Sequence, residues 1–362
     1  MNQAISVVRT VACIAVLCFF LFAENKNKPT YTSFKVSGAG TGSEQGTSAI
    51  SINDGGTIAG QYKDSSGVAH GFVRAASGAI TTFDAPDAAG TGASSINTSG
   101  AIAGNYGDAS NVYHGYVRAA DGTIATFDAM GAGTGTGQGT FPLSINAGGA
   151  VTGYYFDANN VYRGFLRHSN GLITSINVRG AGSGARQGTN CSSINKAGAV
   201  AGIYFDASNV AHGFVRAANG TITKFDSPGP GPGIYPQANN DAGAIAGTYL
   251  DASDVFHGFI RAASGNITTF DASGAGTAAY QGTIARSIDK TGVIAGSYTD
   301  SSNVEHSFVR AADGTIAMFE APGAGDGTFP QGTNASSINN SGVIAGYYGD
   351  TNNVFHGFLR TP

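Results

Sequence analysis

The sequence predicts an all-β chain, a seven-bladed β-propeller of four-stranded antiparallel blades whose ring is closed by the N-terminal strand completing the last blade. Three observations carry this expectation. A unit of about 48 residues recurs seven times, each unit holds four short segments of strand character, and the last unit lacks the one strand that the chain has to spare near its start.

Composition sets the frame. Glycine supplies 56 of 362 residues and tryptophan is absent, while charged residues make up only 12%, about half the usual share. With 10 prolines, 41% hydrophobic residues, 15 tyrosines and 21 phenylalanines, neither a collagen nor a disordered chain fits. The formal charge of −4 lacks the basic footprint that phosphate backbones require, so no nucleic-acid partner is expected.

An Ala-Gly-x-Tyr pattern, with slight variation, ends at Tyr62, Tyr106, Tyr155, Tyr204, Tyr249, Tyr298 and Tyr348, at intervals of 44, 49, 49, 45, 49 and 50 residues. Nothing is left for a second domain, so 31–362 reads as one. In the first unit the four segments, A to D, are 49–53, 57–64, 68–74 and 79–84. The B to C turn has three residues and ends in Gly67, Asn111, Asn160, Asn209, Asp254, Asn303 or Asn353, types that accept the left-handed backbone of a short hairpin loop. The C to D turns end in glycine, as at Ser77-Gly78 and Asp121-Gly122, so B, C and D form an antiparallel meander. That register sets Tyr62 across from His70, Gly60 from Phe72 and Ile58 from Arg74, with small residues facing large ones. Ala59 and Val73 make the opposite side apolar too, and radial stacking of blades covers both faces. The last unit stops after a C segment, and residues 31–34 have the spacing of a D segment with no A, B or C before it. Residues 31–36 are therefore expected to pair with the C-terminal segment; an open solenoid would leave an exposed edge at each end.

Ahead of this domain, Arg9 is the only charge among residues 1–10, residues 11–23 are an unbroken apolar run, and polar residues follow. These are the parts of a secretory signal peptide, and the run is too short for an ordinary spanning helix of about 20 residues. Cleavage is expected after Ala23, with 24–30 as a linker; an uncleaved anchor is the alternative, since Leu21 stands where a small residue is preferred. Cys13 and Cys18 fall in the apolar run and leave Cys191 alone, so no internal disulfide and no cysteine-based zinc or redox site is expected. The location these features predict is secreted, either extracellular or periplasmic.

The string INNSGVIAGYYGDTNNVFHGFLR at 338–360, its six echoes and the intervening stretches of the GTITTFDAPGAG kind resemble the bacterial extracellular repeats called the HAF family. The resemblance covers nearly all of 31–362, with glycine where the family's name has alanine, as in His70-Gly71-Phe72. It implies a secreted bacterial protein with a propeller-like fold. It implies no established activity, and no catalytic residue carries over.

Asp64, Asp108, Asp157, Asp206, Asp251, Asp300 and Asp350 each precede by six residues His70, His114, Arg163, His212, His257, His306 or His356. A feature present in every unit reads as scaffold, the aspartate opening the hairpin turn, because a catalytic site needs asymmetry. Oxygen-rich turns such as Asp157-Ala158-Asn159-Asn160 lack the ligand count of a calcium loop, so no cofactor is expected, with calcium as an open alternative that no motif supports. The longest segment of the unit, from D to the next A, is glycine-rich and in most units ends in Gln-Gly-Thr, headed by Gln45, Gln138, Gln187, Gln281 and Gln331. It emerges on the same face as the B to C turn, which makes these glutamines candidate ligand contacts. Asymmetry adds Tyr235, in the proline-rich fifth unit, and Arg163 and Arg186, which with His168, Arg179 and Cys191 form a local positive excess suited to an anion. The expected function is binding of a glycan or extracellular protein by a monomer with no membrane contact after signal cleavage. The alternative is an extracellular polysaccharide hydrolase or lyase whose catalytic groups come from non-repeated loop residues.

Overall fold

The computed structural model describes residues 28–362. The expected signal segment, 1–23, and residues 24–27 of the linker lie outside the described residues. Among those described, the chain forms twenty-eight β-strands and no helix. Strand β1 (Thr30–Phe34) comes first. The first unit then supplies A as β2 (Gly46–Ile52), B as β3 (Ile58–Lys63), C as β4 (Ala69–Arg74) and D as β5 (Ile80–Phe83). The pattern continues to the seventh unit, which consists of β26 (Gly332–Ile338), β27 (Ile344–Gly349) and β28 (Phe355–Thr361).

The B to C register is the one the sequence predicts, with Ile58 opposite Arg74, Gly60 opposite Phe72 and Tyr62 opposite His70. The seven residues that end the B to C turns all have φ between 57° and 81°. The A strand, however, starts three residues earlier than 49–53, because the Gly-Thr of each Gln-Gly-Thr belongs to the strand rather than to the crossing loop. Gly46 there forms a parallel bridge to Phe355 of the seventh unit, so close that a Cβ on it would lie 2.1 Å from the Phe355 carbonyl oxygen. Only glycine fits that approach. A bulge between Ala49 and Ser51 then turns the strand, and every unit repeats it at the same place.

Neighbouring units share aromatic rings. Phe83, on the D strand of the first unit, meets Tyr116 of the second edge-on at 6.1 Å, and the guanidinium of Arg118 lies 4.9 Å above the same ring, a cation–π contact. The ring also covers Gly71 behind it, where a Cβ would clash at 2.5 Å. Phe34 of β1 makes the same three contacts, with Phe72 at 6.0 Å, with Arg74 at 4.9 Å and over Gly357. Strand β1 pairs with β28, in the place a D strand holds in the other units.

At the far end of the A strands a chain of side-chain amides links unit to unit. Asn53 donates through Nδ2 to the Asn97 carbonyl at 3.0 Å, Asn97 to Asn146 at 3.0 Å, Asn146 to Asn195 at 3.1 Å, Asn195 to Asn240 at 3.0 Å and Asn240 to Asp289 at 2.9 Å. Asn339 donates to the Asn53 carbonyl at 3.1 Å. The sixth position is Asp289, 6% exposed, and a carboxylate has no donor for the Asn339 carbonyl.

Two outcomes follow from these contacts. Asp289→Asn restores the missing donor and is expected to raise Tm by about 2 °C in scanning calorimetry, the equivalent of one hydrogen bond of about 1 kcal/mol in a domain of this size. Deleting residues 31–36 removes the half-buried Phe34 from beneath Arg74 and the fully buried Val36, and is expected to lower Tm by on the order of 5 °C or more.

Candidate functional site

The repeated polar residues are occupied by the scaffold. Asp64 Oδ1 accepts from the N–H groups of Ser66 and Val68 at 2.8 and 2.9 Å. The hydrogen bond from Val68 is the main cause holding its carboxyl below the ordinary range, and Asp108, Asp206 and Asp251 are held low in the same way by Val112, Val210 and Val255. His70 stacks on Tyr62 at 5.0 Å and turns Nδ1 to Asp84 at 2.9 Å, and the other five histidines of the series stack likewise.

The five candidate glutamines form latches. Gln138 Oε1 accepts from Gly135 N–H at 2.9 Å while Nε2 donates to Asn160 Oδ1 at 3.0 Å and to the Ala158 carbonyl at 3.3 Å. Gln187, Gln281 and Gln331 repeat the bond to Asn209, Asn303 and Asn353, and Gln45 donates to the Ser65 carbonyl. Gln138, Gln187 and Gln281 are buried, Gln45 and Gln331 half-buried. In four of the five the residue before the glutamine hands its N–H to the B to C turn of the preceding unit, as Gly137 does to Asn111 and Tyr280 to Asp254; Pro330, before Gln331, has no N–H to give. The crossing loop and the B to C turns therefore do share one face, tied together by these amides.

The positive group of the third and fourth units is dispersed. Arg163 Nε is bound to Asp157 Oδ2 at 3.0 Å. Arg186 is exposed on the crossing loop with φ 61°, and His168 begins the turn after Arg167, at the other end of that strand. Cys191 is fully buried, and burial pushes its thiol up to about 12, which keeps it protonated and unreactive.

What differs between units lies elsewhere. Five positions per unit break the repeat: Ser48, Ile50, Gln61, Lys63 and Ala69 in the first become Ile284, Arg286, Ser297, Thr299 and Glu305 in the sixth. The register pairs Ser48 with Gln61 and Lys63 with Ala69, so four of these positions share one face and the end of the sheet nearest the B to C turn. Among these five positions, those of Ser48, Ile50 and Gln61 line a cavity of about 560 Å³, bounded by Ile50, Asn105, Leu143, Asn190, Ile203 and Tyr235 of five units. In units two to five the same positions build an aromatic arc: Tyr113 and Phe141 at 4.8 Å, Phe141 stacked on Tyr154 at 4.9 Å, Phe156 against Tyr162 at 4.6 Å, then Phe205 and Tyr235 at 6.5 Å. Burial, and then Tyr162 beside it, push the Tyr154 hydroxyl up to about 12.

No family model matches the chain, and no curated protein matches it. Solved structures do. A catalytically inactive virginiamycin B lyase from Staphylococcus aureus with quinupristin is similar at a TM-score of 0.58 and 14% identity, covering 92% of this chain and 100% of that one. A streptogramin B lyase gives 0.55 at 12%, over 93% and 99%. The propeller domain of the Trilobed protease from Pyrococcus furiosus, described as having an open velcro topology, gives 0.53 at 8%, over 86% and 94%. The fold is of the β-propeller type. At these identities the likeness concerns the fold alone.

Opposite the aromatic arc the propeller carries a charged group on its sixth and seventh units. Glu305 Oε1 accepts from Arg286 Nη2 at 3.2 Å and from Asn334 Nδ2 at 2.8 Å, and Arg286 Nε donates to Ser297 Oγ at 3.2 Å. Burial, with Glu305 beside it, raises the Tyr347 hydroxyl. Residues 286, 305, 334 and 347 all lie on strands, whereas non-repeated loop residues were the expected source of a site. The signal that identifies them is the divergence between units at positions that the strand register aligns.

The turn aspartates set the acid limit of the fold. Their folded carboxyls lie below an unfolded value of about 3.9, so their contribution is present above that value and is lost as the pH falls through the folded values. Thermal melts are expected to hold Tm without a fall from pH 7 to about 5 and to lose it below about pH 4.

Proposed function

We propose that this protein is a secreted bacterial binding module, a seven-bladed propeller closed by β1, that holds an extracellular glycan or protein ligand at the mouth of its central cavity. The ring reading is supported by Phe34 under Arg74 and by the Asn339 to Asn53 hydrogen bond. Secretion rests on the apolar segment 11–23 and the repeat resemblance. The observation that carries the function is the division of the strands: repeated side chains are consumed by turns, latches and packing, and the side chains that differ between units gather at the B to C turn end of the blades, around adjoining cavities.

The site consists of Tyr154, Tyr162 and Tyr235 on the aromatic side and of Arg286, Glu305 and Tyr347 on the other, with Arg186 on the loop above. The latch glutamines act through the loops they hold. The protein works as a monomer, without a bound nucleic acid or membrane. A second reading, an extracellular polysaccharide hydrolase or lyase, draws on Glu305 held between Arg286 and Asn334. Glycoside hydrolysis ordinarily calls for two carboxylates flanking the bond, and this cluster presents one.

Residues 24–362, screened on a glycan array and against soluble polysaccharides, are expected to show saturable binding without turnover. Tyr162→Ala is expected to weaken that binding about tenfold, the loss of one aromatic contact. Release of shortened or unsaturated sugars by the unmodified chain would favour the enzyme reading instead.

A further inference from the structure

Two cavities adjoin the charged group, of about 540 Å³ between the fifth and sixth units and about 440 Å³ between the sixth and seventh, and they meet at Tyr280 and Arg286. Both fall within the size range of small-molecule sites. Among the described residues only two aromatic side chains are exposed, Tyr280 at 67% and Phe329 at 63%, and both stand on the rim of these cavities. Two exposed rings on the rim of one pair of joined cavities make an apolar edge of the kind that borders ligand-binding grooves.

Polar groups inside the cavities are incompletely paired. Thr248, 3% exposed, lines the first cavity, and its Oγ1 has no partner. In the second, Glu305 uses Oε1 for both Arg286 and Asn334, and among the described residues Oε2 has no hydrogen-bond partner. Arg286 donates through Nε and Nη2, which leaves the Nη1 edge of the guanidinium unused. A free carboxylate oxygen beside a free guanidinium edge is an acceptor next to a donor, the pattern that two adjacent hydroxyls satisfy together.

We infer that Arg286 and Glu305, with Tyr280 and Phe329, form the subsite for a neutral pyranose chain, reading a vicinal diol on one sugar while the exposed rings stack on its C–H face. The inference rests on the binding-module reading and names its ligand. Charge selects against an acidic sugar, because Arg286 is already matched by Glu305 and the neighbouring cavity wall adds Asp254. Two cavities joined at Arg286 accommodate successive sugars.

Titration calorimetry of residues 24–362 with neutral hexasaccharides of glucose, mannose, galactose and xylose, and with hexagalacturonate, tests this. At least one neutral hexasaccharide is expected to bind and hexagalacturonate is expected not to. Phe329→Ala and Glu305→Gln, shown by thermal melts to be folded, are each expected to weaken binding about tenfold, as loss of one stacking contact or one charged hydrogen bond does. Saturation-transfer NMR is expected to place the strongest contact on one C–H face of a single sugar. Tighter binding of hexagalacturonate, neutral binding that survives both substitutions but is lost in Tyr162→Ala, or binding of none of the neutral sugars overturns the inference. The binding-module reading fails on a different result, turnover of polysaccharide.

Discussion

The phenylalanine that ends most D strands is held by three groups at once: the guanidinium above it, the aromatic ring of the next unit at its edge, and the glycine behind it, a place that Ser307 takes behind Phe319. The arginine and the aromatic ring belong to the following unit, so the ring is packed only when two units are adjacent. A single unit cannot bury it, and the fold is a property of the array. One exception shows how much of the contact depends on the ring. Ile176 takes the phenylalanine position in the third unit, and the corresponding Arg216 loses its aromatic partner, while Ile176 is still buried in the core around Phe214. Apolar burial survives the exchange and the cation–π contact does not.

Because the units are held by repeated contacts, positions outside those contacts are free to differ. The turn aspartate, the histidine on its tyrosine and the latch glutamine each have defined partners in nearly every unit, and substitution there would release a turn or a loop. The upper ends of A, B and C carry no such obligation. Residues there range from glycine at 92 to arginine at 286, and the scaffold accepts both. A rigid frame with a permissive rim is what allows one fold to carry unlike ligands.

Much of this was legible in the sequence. The repeat length, the meander, its register and the D-like character of residues 31–34 follow from turn residues at fixed offsets and from glycine opposite aromatic residues, which are local signals. The early start of the A strand was not legible, because Gly46 is placed by a carbonyl of another unit, Phe355, 309 residues away. The glutamines were visible as a motif, but their partners, the turn asparagines 22 residues later, are known only once the loop is folded against the turn. Arg286, Glu305 and Asn334 escaped notice because they stand on strands and are separated by up to 48 residues; only register brings them together.

The pairing of β1 with β28 joins two segments more than 320 residues apart. Apart from β2, whose Gly46 also bridges to Phe355 of β28, every other strand of the array finds its neighbours within about one unit of sequence, so the intermediate stages of folding involve short loops and the last stage a very long one. During synthesis β1 emerges first and its partner last. Until the final strand appears, Phe34 and the backbone edge of β1 have no β28 to pair with, and the growing chain carries an open strand edge of the kind that seeks partners in other molecules. Pairing β1 with β28 removes that edge, so the array is protected only once both of its ends are present.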